Sequence, residues 1–578
     1  MGRNWSDSSV IDSYAEGSVT GSGSVGGLVG SHSFGSVANS YYDHNEVLVN
    51  GKKVITVGAL LGEDFGQWLA NGKSLDVDDR LSQEHGYYLI NNVSDLKELL
   101  AFGQDSSLRF RLASDLDLAT EVDFYIPYLA GQFDGNGHRI SDLNLSLDFV
   151  AQTGLFGVLA SGGEISAISV VNAKVTGTEN VGGLVGRNDG TVSGSCFAGS
   201  VIGYGSVGGL VGVCSGAVRD SYASGSVTGE SGVGGLVALC FGTVNNSHYD
   251  YEELRINGKS IITIGALSAG DFEQWLANDK FLDVNQRLSQ DDSYYVINDV
   301  SDFRSLLAFG QDSTLRFRLN GDIDLGNDLN FYIPYLAGEF DGAGHIVANL
   351  SFTFDFVMQV GLFGYLHHSA RVAELGVEGV NLTGSMNVGG LVGDNNGGSV
   401  SRSYSTGSVT GGDFVGGLIG VNRGNANNSY STCNVSGDWA IGGLMGAIHG
   451  GTVSNSYSAA TVTGRSRVGG LAGELTSGTV SKCYSSGSVT GDSDVGGLLG
   501  INFHGTVSNS FWDVQTSGME ESNGGTGKTT AEMQSIGAFS GAGWDITAVA
   551  NPGVRNTAYI WNMVDGETYP FLSWESVS

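Results

Sequence analysis

Apolar and small residues recur along this chain in one short pattern, a variant of Val-Gly-Gly-Leu-Val-Gly, which is written nine times. Within two clusters the copies lie 26 or 27 residues apart. A fixed period of this length indicates stacked units, each too small to bury a core of its own. The central leucine of the pattern stands at Leu28, Leu184, Leu210, Leu236, Leu391, Leu418, Leu444, Leu471 and Leu498.

Three polar or aromatic columns keep the same register as the leucine. Threonine stands eight residues before it, tyrosine fourteen before it and asparagine four after it. The pattern predicts Val and Leu inside, Asn at a turn and Thr outside. The columns are Thr20, Thr176, Thr228, Thr383, Thr410, Thr463 and Thr490; Tyr14, Tyr222, Tyr404, Tyr430, Tyr457 and Tyr484, with Cys196 once in place of tyrosine; and Asn188, Asn395, Asn422 and Asn502.

The backbone that suits this unit is a short strand followed by a turn. Glycine accounts for 93 residues and proline for 4, and β-branched runs are punctuated by Gly and Asn. The strict register predicts that equivalent residues stack directly above one another, about 4.8 Å apart, as in a parallel β-helix. A coil of this length suits three strands and three turns. Glycine permits tight corners, and a buried Asn ladder can hydrogen-bond along the stack.

A longer period of 207 residues shows that a block of about 110 residues is duplicated. Tyr125-Ile-Pro-Tyr-Leu-Ala-Gly returns as Tyr332-Ile-Pro-Tyr-Leu-Ala-Gly, and the segment from Val54 to Val77 returns from Ile261 to Val284. Helical spacing within the block is local. It predicts two short helices on the side of the coil, one with Phe65, Trp68 and Leu69 and the other with Leu96, Leu99 and Leu100 after a Ser94-Asp95 N-cap pair.

The ladder runs out after Leu498, and an aromatic tail follows that contains Trp512, Trp544, Trp561 and Trp574. An open β-stack needs a different end unit, so we predict that this tail caps the last coil. The first coil has no comparable cover, which favours a segment of a longer protein or an incomplete reading frame. The predicted regions are first repeat coils, truncated (1–45), first block (46–153), repeat coils (154–248), second block (249–360), repeat coils (361–509) and cap (510–578).

The recurring motifs resemble the GLUG family of large bacterial and archaeal surface proteins. This family includes filamentous-haemagglutinin-like adhesins and the non-catalytic portion of immunoglobulin A-cleaving metallopeptidases. The resemblance implies a right-handed parallel β-helix that is secreted or displayed on a cell surface, and it carries over no catalytic residue. Besides the repeat, it is carried by Phe133-Asp-Gly-Asn-Gly-His, Gly154-Leu-Phe-Gly, Leu319-Asn-Gly-Asp-Ile-Asp-Leu, Ser510-Phe-Trp-Asp, Gly524-Gly-Thr-Gly-Lys-Thr-Thr-Ala-Glu-Met and Tyr569-Pro-Phe-Leu-Ser-Trp.

Charge and hydropathy agree with an extracellular protein. The formal net charge of −33 argues against nucleic acid, because phosphate contacts need Lys and Arg. No run approaches the roughly 20 apolar residues of a spanning helix, and the segment Met1–Ser8 does not resemble a signal peptide. Extracellular localisation therefore rests on the resemblance. The expected partner is a receptor or glycan on a host or neighbouring cell.

Several chemical motifs are incomplete. Gly524-Gly-Thr-Gly-Lys-Thr resembles a phosphate loop, but Ser522 stands where that loop needs glycine. No histidine lies in a His-Glu-x-x-His zinc motif, and the calcium-binding nonapeptide is missing. Cys214 and Cys240 share a column, so they stack on adjacent coils as free thiols or as a disulfide. We predict no cofactor.

Carbohydrate cleavage is the main enzymatic alternative, since glycosidases need two carboxylates about 5 to 9.5 Å apart. Asp115 with Asp117, and Asp322 with Asp324, alternate along a strand. Because the pair is duplicated with its block, a solvated or turn-bonding role is favoured over catalysis, and calcium binding is a further alternative.

The third class of function is ice binding by two hydroxyl columns, such as Ser408-Val-Thr410 and Thr461-Val-Thr463. Trp68, Trp275 and Tyr87 are conceivable ligand contacts or packing residues. The sequence favours a non-enzymatic adhesive or structural surface module with no assigned site residue. A polysaccharide-binding or polysaccharide-degrading protein is the alternative.

Overall fold

The structure is a computed structural model that describes residues 3–4, 8–22, 24–32 and 36–575. Of the N-terminal segment Met1–Ser8, residues 1–2 and 5–7 lie outside the described residues. The chain divides into two compact units, Met1–Leu282 and Asp283–Ser578. Each unit is a β-solenoid in which strands of successive coils stack into parallel sheets. The parallel β-helix predicted from the repeat is confirmed in both units.

The first unit contains three long sheets and several short ones. The first sheet stacks Gln83–Glu84, Tyr87–Ile90, Arg109–Leu112, Gln132–Asp134, Glu164–Ser166, Thr191–Ser193, Ala217–Arg219 and Thr243–Asn245. The second stacks Leu116–Asp117, Arg139–Ser141 beside Asn144–Ser146, Ser169–Thr176, Cys196–Ile202, Tyr222–Thr228 and Arg255–Ile256. The third stacks Ile126–Leu129, Phe156–Leu159, Val185–Asn188, Val211–Cys214 and Val237–Cys240.

The shorter sheets of the first unit lie at its corners and in its first coils. One joins Glu179–Gly182, Gly205–Gly208 and Ser231–Gly234. The others are Arg3–Asn4 with Ser31–His32; Ser9–Ile11 with Ser36–Ala38; Tyr14–Ala15, Tyr41–Asp43 and Ala59–Leu60; and Tyr249–Asp250 with Ala266–Leu267.

The second unit contains two large sheets and a small one. The first large sheet holds Gln290–Asp291, Tyr294–Ile297, Arg316–Leu319, Ile333–Leu336, Glu339–Asp341, Phe363–Leu366, Arg371–Ala373, Val392–Asn395, Ser399–Ser401, Ile419–Asn422, Asn425–Asn427, Met445–Ser454, Ala472–Ser481, Leu499–Asn502 and Thr506–Ser508. The second holds Ile323–Asp324, Ile346–Ala348, Ser351–Thr353, Gly376–Gly389, Tyr404–Gly416, Tyr430–Ser431, Asn434–Gly442, Tyr457–Ser458, Thr461–Gly469, Tyr484–Ser485, Val489–Thr490, Ser493–Gly496, Phe511–Asp513 and Thr526–Lys528. The small one holds Ile546–Ala548, Trp561–Met563 and Phe571–Leu572.

The number of strands in a coil differs between the units. A coil of the first unit has four strands, Val185–Asn188, Thr191–Ser193, Cys196–Ile202 and Gly205–Gly208, so the prediction of three is wrong there. In the second unit the coil that begins at Val392 has three, because its last strand runs without a break from Tyr404 to Gly416.

Short helices interrupt the coils. In the first unit they are α1 (Gly62–Ala70), α2 (Val93–Lys97), α3 (Leu99–Phe102) and α4 (Ala269–Ala277). In the second unit they are α5 (Val300–Arg304), α6 (Leu306–Phe309), α7 (Val514–Ser517), α8 (Thr530–Met533) and α9 (Ile536–Ser540), with a 3-10 turn at Val284–Gln286.

The predicted N-cap pair of the second helix is wrong. Helix α2 is capped by Asn92, whose side chain accepts the backbone N–H of Asp95 at 3.1 Å. The cap lies two residues earlier than Ser94, because Asn92 has the extended backbone that an N-cap needs, and Ser94 is already within the helix.

The residue columns lie where the repeat predicts. All nine leucines of the pattern are buried, at 0 to 5% exposure. The threonine column faces outward, with Thr228, Thr410, Thr463 and Thr490 exposed. The leucine column therefore lies in the core of the coils, and the threonine column lies toward solvent.

Close packing, rather than left-handed backbone, explains the paired glycines of the repeat. A Cβ added at Gly209 would lie 2.1 Å from the carbonyl oxygen of Gly235, and one at Gly183 would lie 2.3 Å from the ring of Phe197. Neither Gly209 nor Gly183 has a positive φ. These glycines allow each corner to press against the next coil.

Left-handed backbone occurs four residues before each leucine of the two clusters, with φ between 50° and 62°. Most L-residues avoid this region, yet only one of the eight positions is glycine. Residue type varies along this column, so the repeat gives no signal for it. Its members are Asn180, Ser206, Gly232, Asn387, Phe414, Ala440, Arg467 and Asp494.

The C-terminal segment covers both the last coil and the side of the second unit. Ser522 Oγ accepts the backbone N–H groups of Leu498 and Leu499 at 3.1 and 2.9 Å, which satisfies the end of the stack. Farther on, the Trp561 ring lies 5.9 Å from that of Tyr484 and 6.1 Å from that of Tyr457. The predicted aromatic cap is confirmed, and it also extends along the tyrosine column.

Candidate functional site

The two carboxylates of the first pair accept from different partners, Asp115 from the next coil and Asp117 from its own turn. Asp115 Oδ1 accepts the backbone N–H of Arg139 and faces His138 Nδ1, both at 3.1 Å. Asp117 accepts the backbone N–H of Ala119 at 2.8 Å. The Arg139 N–H, with help from His138, lowers the pKa of Asp115. A lowered pKa favours the ionised carboxylate, which accepts these hydrogen bonds.

The duplicated pair repeats this arrangement in the second unit. Asp322 Oδ1 accepts the backbone N–H of Ile346 at 3.0 Å, and Asp324 Oδ1 accepts from the side-chain amide of Asn349 at 2.8 Å. The Asn349 amide lowers the pKa of Asp324. Across the described ranges, no group of three or more His, Cys, Asp or Glu side chains is placed to hold a metal ion.

Trp68 and Trp275 are packing residues, buried to 1% and 0% exposure. The Trp68 indole donates to Asn39 Oδ1 at 2.7 Å, and the Trp275 indole donates to Asn246 Oδ1 at the same distance. Tyr87 is half-buried, and the Arg111 guanidinium lies 3.8 Å from its ring centre. The two indoles dock their helices on the coil, and Tyr87 supports a surface arginine.

The column-sharing cysteines are free thiols. Cys214 and Cys240 are opposite one another in neighbouring strands, and both are fully buried. Their sulfur atoms lie 3.6 and 3.5 Å from the carbonyl oxygens of Gly216 and Gly242. Each thiol thus bonds to its own corner rather than to the other sulfur.

The segment that resembles a phosphate loop is part of the cap. Thr526–Lys528 is a strand that pairs with Phe511–Asp513, and the Lys528 ammonium lies 5.1 Å from the Phe511 ring centre. Thr529 then caps the four-residue helix α8 through a capping box with Glu532. These contacts give the segment a structural role.

Sequence reasoning missed a buried serine ladder. Each hydroxyl donates to the carbonyl two residues before it and accepts a backbone N–H from the preceding coil. Ser429 Oγ, for example, donates to Asn427 O at 2.8 Å and accepts from Ser403 N at 3.2 Å. The signal was the serine that precedes most residues of the tyrosine column. The ladder comprises Ser40, Ser195, Ser221, Ser247, Ser403, Ser429, Ser456 and Ser510, with Cys483 in place of serine once.

The asparagine ladder is shorter than predicted. Asn395 Nδ2 donates to Asn422 Oδ1 at 2.8 Å, and both side chains are fully buried. The next two members of the column are Ile448 and Leu475, which make no side-chain hydrogen bond. Asn188 continues instead onto the sulfur of Cys214 at 3.6 Å. Asn395 and Asn422 thus bond directly to each other, whereas Asn188 bonds to the next coil through Cys214 and through the Ala217 carbonyl at 2.9 Å.

The hydroxyl columns of the second unit are uneven. Thr410 lies opposite Ser436, which lies opposite Thr463, and Asn434 interrupts the neighbouring column. Ice binding by these columns stays a prediction.

Two exposed aromatic side chains, packed on less exposed charged ones, break the repeat on the second unit. The Arg467 guanidinium lies 4.0 Å from the Trp439 ring centre and 5.1 Å from the Phe503 ring centre. Trp439 is 38% exposed and Phe503 is 44% exposed. We call Trp439, Phe503, Arg467, Glu474 and His449 the Trp439 patch. It offers two aromatic surfaces bridged by a cation.

Glu474 fixes the arginine of the Trp439 patch. It forms an ion pair with Arg467, faces His449 Nε2 at 3.3 Å and accepts from Thr476 Oγ1 at 2.6 Å. Burial alone would raise the pKa of Glu474, but the hydrogen bonds from His449, Thr476 and Arg467 outweigh it and lower the pKa to about 2. The carboxylate stays ionised over the physiological range and orients the guanidinium.

No helix among the described residues is long and apolar enough to span a bilayer. The model of the family "The GLUG motif" matches residues 464–490. A 111-residue segment is 32% identical to halomucin of Haloquadratum walsbyi. The matched segment is 18% of this chain and 1% of the length of halomucin.

A solved structure also shows similarity. It is that of a candidate immunoglobulin A1 protease from Bacteroides ovatus, with a TM-score of 0.36 and 18% identity, covering 50% of this chain and 94% of that one. The resemblance carried by the Gly-Gly-Leu-Val-Gly repeats is confirmed by the family match: this chain carries the GLUG motif.

Proposed function

We propose that the protein is a non-enzymatic β-solenoid displayed outside the cell, where it acts as an adhesive module. The GLUG motif and the partial match to halomucin support display at a surface. The net charge of −33 supports a soluble, well-solvated exterior. The buried serine ladder supports stiffness, because each coil is hydrogen-bonded to the next through side chains as well as backbone.

The Trp439 patch is the observation that carries the adhesive role. Stacking does not require tryptophan at this position, since the residues opposite Trp439 in the neighbouring coils are Asp413 and Ser466. The aromatic side chain is instead held at the surface by Arg467. Exposed aromatic and arginine side chains are the residue types that contribute most to binding interfaces.

The arrangement is preorganised for contact. Arg467 is fixed from one side by Glu474 and stacked by Trp439, so little side-chain freedom is left to lose when a partner docks. A partner that places an apolar or polarisable group on Trp439 and Phe503 would bury both rings. The partner is expected to lie on a host or neighbouring cell.

The test is attachment of beads coated with the purified chain to intact cells. We expect Trp439→Ala and Phe503→Ala to reduce attachment severalfold, because each removes an exposed ring of the patch. Tyr204→Ala is the matched control, since Tyr204 is an aromatic residue at 60% exposure in the other unit. Equal attachment by all variants would contradict the proposal.

Turnover must be measured in the same experiment. The non-enzymatic proposal expects no new reducing ends when the chain is incubated with the polysaccharides of those cells. If reducing ends are released in amounts that grow with time and with protein concentration, the proposed function would be polysaccharide degradation instead of adhesion.

A further inference from the structure

A groove in the second unit begins where the tyrosine column ends. Tyr404, Tyr430, Tyr457 and Tyr484 stack with ring centres 4.9 Å apart and planes within 7°. The column position before Tyr404 is Gly376, where an added Cβ would lie 2.6 Å from the Tyr404 ring. Only glycine admits the ring in this pose, so the stack of rings stops here and leaves space beside it.

Two cavities meet along this groove. One, of about 200 Å³, is lined by Tyr404, Glu374 and the backbone at Gly376. The other, of about 270 Å³, is lined by Asn428, Asp545 and Tyr559. Arg402 and Trp574 line both cavities. The shared lining gives an elongated site rather than a closed pocket.

Aromatic rings supply the apolar surface of the groove. Trp574 is half-buried, with its ring 6.3 Å from Tyr404 and 5.9 Å from Tyr430. Tyr559 is 39% exposed. Partly exposed rings offer flat faces for weakly polar C–H groups.

The charged groups that line the groove are one arginine, Arg402, and two carboxylates, Glu374 and Asp545. Arg402 pairs with Glu374 at 2.6 Å, and their side chains are 54% and 41% exposed. Tyr404 donates its hydroxyl to Glu378, and Asp545 Oδ2 accepts the backbone N–H of Ile560 at 3.0 Å. The site thus presents both donors and acceptors near solvent, with no excess of cationic groups to attract a polyanion.

We propose that this groove binds a linear, uncharged oligosaccharide. A sugar hydroxyl both donates and accepts, so one ligand can satisfy the guanidinium of Arg402 and the carboxylates of Glu374 and Asp545 together. Its C–H faces fit the rings of Trp574 and Tyr404. The elongated groove suits a chain of several sugar units. The net charge of −33 disfavours an acidic polysaccharide.

The groove uses different residues from the Trp439 patch, so it goes beyond the proposed adhesion and is tested separately. The probes are neutral cello-, xylo-, manno- and chito-oligosaccharides, with a sulfated oligosaccharide and an acidic peptide as comparisons. Binding is followed by calorimetry on the full chain and by tryptophan fluorescence. We expect one neutral series to bind, with affinity rising with chain length.

Two variants test the assignment. Arg402→Ala and Tyr404→Ala are expected to weaken binding by about tenfold or more. Trp439→Ala serves as the control and should bind as the unmodified chain does. Circular dichroism and the thermal unfolding midpoint establish that each variant is folded. If Tyr404→Ala fails to fold, Arg402→Ala decides, because Arg402 is surface-exposed.

Three results would overturn the proposal. These are no binding of any neutral oligosaccharide at millimolar concentration, preference for the sulfated sugar or the peptide, and neutral-sugar binding that Arg402→Ala leaves unchanged. If Trp439→Ala abolishes sugar binding while the groove variants do not, the sugar belongs to the Trp439 patch. That result would contradict the groove proposal and would be consistent with the proposed adhesive function.

Discussion

The indole N–H of Trp68 donates to the side-chain oxygen of Asn39 at 2.7 Å, at a coil corner where Asn39 has a φ of 43°. Asn39 Nδ2 in turn donates to Asp12 Oδ1 at 2.7 Å and to Lys73 O at 3.0 Å. One left-handed corner residue therefore ties helix α1 to the coil. The duplicated block repeats the bond between Trp275 and Asn246, where φ is 45°.

We expect Asn39→Gly to destabilise the chain by about 1–3 kcal/mol, because glycine keeps the backbone conformation but leaves the Trp68 indole N–H buried without its acceptor. Urea unfolding of the purified variant measures the change. Asn136→Gly is the control, since Asn136 is exposed and has a φ of 51°. Equal effects at the two positions would show that the indole bond contributes nothing.

The serine ladder predicts a difference between two small substitutions. Ser429→Ala removes the acceptor of Ser403 N and the donor to Asn427 O, so a loss of about 1–3 kcal/mol is expected. Ser429→Cys should cost less, because Cys483 occupies the same column and bonds to Ser481 O at 3.2 Å. Thermal unfolding ranks the variants, with exposed Ser488→Ala as the control. If Ser429→Ala is as stable as the control, the serine ladder does not contribute to the stability of the fold.

The glycine corner predicts opposite outcomes at two positions of one strand-and-corner segment. Gly209→Ala places its Cβ 2.1 Å from the Gly235 carbonyl oxygen, whereas Gly205→Ala meets no atom within 4 Å. Overpacking at Gly209 should cost about 1–3 kcal/mol or more, and Gly205→Ala should be neutral or slightly stabilising. Urea midpoints of the two variants decide. A tolerated Gly209→Ala would show that the coils can separate at this corner.

His248 predicts acid sensitivity. Its side chain is 1% exposed, and burial lowers its pKa to about 3 from 6.5, with the Gly265 backbone opposing the shift. The neutral ring is therefore favoured in the folded chain. Its contribution to stability is complete above pH 6.5 and is lost as pH falls toward 3, by at most about 1.4 kcal/mol per pH unit.

The measurement is the free energy of unfolding at pH 7 and pH 4.5 for the unmodified chain and for His248→Phe. We expect the variant to lose less stability on acidification. His504→Phe replaces an exposed histidine, and it should lose as much stability between pH 7 and pH 4.5 as the unmodified chain does. If His248→Phe also loses as much stability on acidification as the unmodified chain, burial of His248 does not set the pH dependence of stability.

The sequence predicts the stack because the leucine and threonine columns repeat in register, and the structure buries the first and exposes the second. It does not predict the left-handed column, since residues as different as Phe414, Ala440 and Arg467 occupy it. It also misplaces the cap of α2, because Asn92 and Ser94 are both good N-cap residues and only their backbone distinguishes them.

The candidate sites lie beyond sequence reasoning for a physical reason. Tyr404 and Trp574 line one groove although 170 positions separate them, and no periodicity relates the cap to the ladder. Trp439 and Phe503 were visible only as departures from the repeat. Their exposure and their shared contact with Arg467 depend on how the coils stack.

The central claim is that the chain binds surfaces through side chains that interrupt a stiff, non-catalytic ladder. The most direct measurement compares cell attachment and reducing-end release in one assay for the unmodified chain, Trp439→Ala and Tyr204→Ala. The account predicts attachment that falls severalfold only in Trp439→Ala, with no reducing ends released by any of the three. Release of reducing ends, or attachment that Trp439→Ala leaves intact, would contradict it.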